Sequence, residues 1–77
     1  MKFNIENKPP EVDGHVKINR SGEKFWVEVI FIDNINKMIT GTVDNDMIKT
    51  KYHGLKYLDV ISFHFNEVLD VLLKNEY

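Results

Sequence analysis

Glu23-Lys-Phe-Trp-Val-Glu-Val-Ile-Phe-Ile-Asp-Asn-Ile-Asn-Lys-Met-Ile-Thr-Gly-Thr-Val-Asp-Asn-Asp46 decides the fold. Strand side chains alternate between two faces. From Phe25 one set is Phe25, Val27, Val29 and Phe31, wholly apolar; the other is Trp26, Glu28, Ile30 and Ile32, with one carboxylate. A strand apolar on nearly both faces is expected to be covered on both. A helix is disfavoured because β-branched and aromatic residues fill most of Lys24 to Ile32. Asp33-Asn34-Ile35-Asn36 supplies turn chemistry. Lys37 to Val43 resumes alternation, and Gly41 in mid-strand predicts a bulge or the close approach of a bulky neighbour, Trp26 or Phe25.

Outward from this hairpin, residues 1–14 read as a polar N-terminal arm, either loosely docked or available to a partner. Pro9-Pro10 ends any element there. Residues 15–77 read as a single small domain. In the His15 to Asn19 strand, Val16 and Ile18 are expected inside and His15, Lys17 and Asn19 outside. Arg20-Ser21-Gly22 turns into the hairpin, Met47 to Thr50 is a candidate short strand, Gly54 a candidate positive-φ site, and Val60 to Phe65 a further strand. Val68 to Lys74 fits either a helix, with Val68, Leu69, Leu72 and Leu73 as its stripe and Asn66 as a possible cap, or a strand; the preferred reading is a short helical turn near Asn66 followed by a strand closing the sheet. The fold expected is all-β, a small, strongly bent antiparallel barrel (SH3-like or similar) of about five or six strands.

The 77 residues suffice for one modest core. Absence of Cys excludes disulfides and thiolate metal sites, and absence of Ala fits the all-β reading. No apolar run has the length of a membrane span or signal peptide, so a cytoplasmic protein without membrane partner is expected. The net charge of −2 points to no polyanionic partner.

Gly22-Glu23-Lys24-Phe25-Trp26-Val27-Glu28-Val29, Ile39-Thr40-Gly41-Thr42-Val43-Asp44-Asn45-Asp46, His53-Gly54-Leu55-Lys56-Tyr57 and Asp59-Val60-Ile61-Ser62-Phe63 together resemble the YegJ-like family of small bacterial domains of unknown function, the pairing of Gly22 to Val27 with Gly41 to Asp46 being the more specific part. The resemblance spans about residues 16–72. It implies a fold and no catalytic residue. Two departures stand out: Asp33 to Lys37 replaces a tight Asp-Gly turn, and Leu58-Asp59 replaces Gly-Asp, which requires a different or strained turn because Leu is penalised at positive φ.

No catalytic set emerges. His15, His53 and His64 lack metal-site spacing and read as surface or turn histidines, so no metal or cofactor is expected. Ser21 and Ser62 lack a nucleophile motif. An enzyme built on Asp44, Asp46 and His53 has little support; Asp44-Asn45-Asp46 reads first as a turn. Trp26 either closes the core or anchors a partner. The preferred reading is a non-enzymatic interaction module, an accessory, inhibitor or immunity-type factor, that binds another protein through Trp26, Asp44, Asn45 and Asp46 or an edge strand. The alternative is a nucleic-acid-binding barrel using Lys49, Lys51, Tyr52, Lys56 and Tyr57. Either could be a monomer or an edge-paired homodimer.

Overall fold

Among the described residues five strands form, all antiparallel: β1 (His15–Arg20), β2 (Glu23–Asp33), β3 (Met38–Val43), β4 (Val60–His64) and β5 (Asp70–Leu72), with a 3₁₀ turn at Phe65–Glu67 before β5. They belong to a computed structural model that describes residues 5–44 and 57–76. The candidate strand Met47 to Thr50 and Gly54 lie outside the described residues. The sheet order is β4-β3-β2-β1-β5. The expected helical turn followed by a strand is present, and β5 adds to β1. Antiparallel all-β architecture is as expected; among the described strands β4 and β5 stand at opposite edges with no ladder between them.

Local chemistry explains the turns. Ser21 and Gly22 both take positive φ, 53° and 82°, the geometry of a two-residue hairpin turn that twists with its strands. Asn19 Oδ1 accepts the Gly22 N–H at 3.0 Å. In the β2–β3 turn, Asp33 Oδ1 accepts the N–H groups of Ile35 and Asn36, each at 3.0 Å, and Lys37 closes the turn at φ 59°. The alternative helix that Asn66 would cap is not formed, since Asp70–Leu72 is a strand, and the 3₁₀ turn has His64 as its N-cap, its Nδ1 accepting the Asn66 N–H at 3.2 Å while Glu67 Oε2 accepts the His64 N–H.

The core lies on one face of the sheet: Val16, Ile18, Phe25, Val27, Val29, Ile39, Val43, Phe63, Val68 and Val71. Phe31 is not among them. Val29 pairs with Gly41 and Phe31 with Thr40, so Ile30 is an extra residue in β2. This bulge turns Phe31 outward beside Ile30, leaving them 59% and 48% exposed, and returns Ile32 to the core side opposite Ile39. Strict alternation therefore fails after Val29, and β2 is covered on one face rather than two. The bulge and the close approach expected at Gly41 are both present, but the close neighbours are Val27 and Glu28 rather than Trp26 or Phe25.

The described part of the arm is docked. Ile5 packs against the core, Lys8 pairs with Glu76 at 3.0 Å, and Glu11 Oε1 accepts the Lys74 N–H at 2.7 Å. No helix among the described residues is long and apolar enough to cross a membrane.

Candidate functional site

On the face opposite the core, registry sets the residues in cross-strand rows. Lys17 stands opposite both Trp26 and Asp70; His15 stands opposite Glu28 and Leu72; Glu28 in turn faces Thr42. The Asp44 N–H donates to the Trp26 carbonyl at 2.9 Å, which extends the first row to Asp44-Trp26-Lys17-Asp70. Pairing of β2 with β3 thus brings Trp26 and Asp44, distant in the chain, side by side.

Two further residues join them. The Lys17 ammonium lies 5.7 Å from the Trp26 ring centroid, within range of a cation–π attraction. His15 Nε2 lies 2.7 Å from Asp44 Oδ2 across β2. His15 is buried, which corrects the expectation that it sits on the surface: the Asp44 carboxylate partners its Nε2 where water does not reach it. Trp26 is half-buried, the Asp44 side chain is about a quarter exposed, and Glu28 is exposed. The cluster combines an aromatic surface with charges of both signs.

The chain leaves this end of the sheet at Asp44 and is held there again at Leu58. The Leu58 N–H donates to Val43 O and the Val43 N–H to Asp59 O, each at 2.8 Å. Leu58 does occupy positive φ, 72°, the strained of the two outcomes expected for this turn. Tyr57, half-exposed, stands one residue before it. Of the residues singled out from sequence, Trp26, Asp44 and Tyr57 therefore share one end of the sheet. Asn45, Asp46, Lys49, Lys51, Tyr52, His53 and Lys56 lie outside the described residues. His64 is at the far end of β4, capping the 3₁₀ turn, and Ser62 bonds Thr40 Oγ1 at 2.8 Å. Among the described residues no cluster of three or more His, Asp or Glu is placed to hold a metal ion.

A groove of about 390 Å³ opens elsewhere, between the arm (Ile5, Pro9, Pro10), the β2–β3 turn (Asn34, Lys37) and His64-Phe65. It shares no residue with the Trp26 cluster.

No protein-family model matches the chain. It is 27% identical over 74 residues to the uncharacterized protein MG422 of Mycoplasma genitalium; the match takes in 96% of this chain and 9% of that protein. The chain thus spans about a tenth of the length of the curated relative it matches. No solved structure matches.

Proposed function

We propose that the chain is a non-enzymatic interaction module whose Trp26 end binds another protein. The observation that carries this reading is the assembly of Trp26, Lys17, His15 and Asp44 on one sheet face. A half-buried Trp with its ring held by registry and a cation is a pre-positioned anchor of the kind that dominates protein interfaces. Glu28 and Asp44 beside it favour a protein over a nucleic-acid phosphate backbone, whose charge they repel.

The YegJ-like resemblance is part of the same proposal. Its two most specific pieces, Gly22 to Val27 and Gly41 to Asp46, are those that meet at Trp26 and Asp44. So is the bent, SH3-like wrapping of the sheet. What supports it is a core on one sheet face that, among the described residues, only a 3₁₀ turn and the arm accompany. A cytoplasmic setting rests on the cysteine-free composition.

The test is capture from lysate of the source organism at low and high salt, with the parent chain, Trp26→Ala and Asp44→Asn, each checked for an unchanged strand signal by circular dichroism. A protein retained at high salt by the parent and lost by folded variants is the expected result. Full retention by both variants overturns the Trp26 surface. Nucleic acid retained at low salt and shed at high salt would move the reading to the alternative segment, Lys49 to Tyr57.

A further inference from the structure

The two edges of the sheet are not alike. β5 is three residues long, Asp70 Oδ1 accepts the Val71 N–H at 2.8 Å, and the following Lys74 N–H is taken by Glu11. That edge is short and capped by carboxylates, the usual protections against strand addition. β4 is Val60-Ile61-Ser62-Phe63-His64, with no Lys, Arg, Asp, Glu, Pro or bulge.

Which backbone groups β4 presents follows from the ladder. Phe65 N–H donates to Lys37 O and Val43 N–H to Asp59 O at its two ends, so Ile39–Phe63 and Gly41–Ile61 are the hydrogen-bonded pairs between them. The N–H and C=O groups of Val60 and Ser62 therefore point away from β3, and no described strand lies on that side. Neighbouring donors are already used: His64 N–H bonds Glu67 Oε2 and Leu58 N–H bonds Val43 O. Tyr57, Leu58 and Val60 meanwhile leave 52%, 61% and 65% of their surface exposed along this edge.

We propose that β4 pairs antiparallel with β4 of a second copy, joining two sheets into one across a two-fold axis at Ile61. The register follows from the Val60 and Ser62 backbone groups, which no described residue takes. Val60 of each copy stands opposite Ser62 of the other, and each of those two pairs exchanges two backbone bonds. Centring instead on Ser62 would require the occupied His64 N–H, and centring on Val60 the occupied Leu58 N–H. In the chosen register no like charges face each other: Ile61 meets Ile61, and Asp59 meets Phe63. A head-to-tail alternative, β4 on β5 of the next copy, meets the capped Val71 edge, so the pairing closes as a dimer rather than growing into a filament. The surface is distinct from the Trp26 cluster and does not depend on that reading.

The experiment measures mass by sedimentation over a wide concentration range for the parent, Ser62→Pro, Ser62→Ala and Val60→Lys. Proline at 62 removes an N–H that β3 does not use, so the intramolecular ladder stays whole. Alanine keeps that N–H and loses the bond to Thr40. The expected result is a concentration-dependent dimer for the parent and Ser62→Ala, with mass halved in Ser62→Pro and Val60→Lys while strand circular dichroism is retained. Should the proline variant unfold, Val60→Lys decides, since its side chain is already mostly exposed. A parent that stays monomeric at its highest concentration, or a folded Val60→Lys that still dimerises, overturns the proposal.

Discussion

Gly41→Ala places a methyl group 2.4 Å from the Glu28 carbonyl oxygen and 2.5 Å from Val27 Cγ1. Real Cβ contacts do not fall below 3.0 Å, so β2 and β3 must part by about 0.6 Å at the register step beside the bulge. Val27 is fully buried and the oxygen belongs to backbone held in the central ladder, so neither can swing aside. Overpacking of this kind costs ~1–3 kcal/mol. The alanine recovers ~0.4–1 kcal/mol by restricting the unfolded chain. The net expectation is a loss of about 1–2 kcal/mol, against a total stability of ~4–12 kcal/mol for a domain of this size. At roughly 4–8 °C per kcal/mol, Tm should fall by about 10 °C. Thermal and urea unfolding followed by Trp26 fluorescence would measure it. A variant as stable as the parent would show that β2 and β3 do not approach closely at Gly41.

Phe31→Ser should change stability by less than ~0.5 kcal/mol because the bulge leaves the ring outside, whereas Phe63→Ala should cost ~3–5 kcal/mol; equal losses in urea unfolding would refute the outward placement of Phe31. Leu58→Gly should stabilise by up to ~1 kcal/mol, since relief of a left-handed leucine (~1–2 kcal/mol) exceeds the added freedom of the unfolded glycine; a lower Tm would count against the strain. In acid, Asp33 and Glu76 should matter together. The Asn36 backbone and side chain hold the Asp33 carboxyl below its ordinary 3.8, and the Leu73 N–H, then Lys8, hold Glu76 below 4.5. A folded pKa below the unfolded one adds stability above those ordinary values, and that stability disappears as pH falls through the lowered ones. Asp33→Asn with Glu76→Gln should flatten the stability profile below about pH 4.5; an unchanged acid slope would show that these bonds do not form in solution.

Much of the strand map was legible because its signals are local. Alternation set β1 and the start of β2, Asp33-Asn34 and Ser21-Gly22 marked turns, and Gly41 announced a bulge opposite itself. What could not be read was the consequence of that bulge. One inserted residue changes the parity of everything after it, so Phe31, identical in kind to Phe25, ends on the other face. The cap of the 3₁₀ turn was missed for a similar reason: His64 Nδ1 fills a role usually given to Asn or Ser, and only its geometry reveals it.

The candidate site divides along the same line. Trp26 was conspicuous as the one tryptophan, and Asp44 as part of an acidic turn, but nothing local linked them to His15, 29 residues from Asp44. Alternation put His15 on the outer face correctly, opposite Glu28; the inference that an outer residue is a wet residue was the step that failed. A signal was nevertheless present. With β1 paired to β2 and β2 to β3, His15, Glu28 and Thr42 must form one row, and Asp44 follows Thr42 by two positions on the same face. A histidine and an aspartate on one face, one strand apart, are within reach of each other wherever the strand between them offers no large side chain at their crossing. Registry, rather than composition or spacing, is what turns these scattered polar residues into a surface.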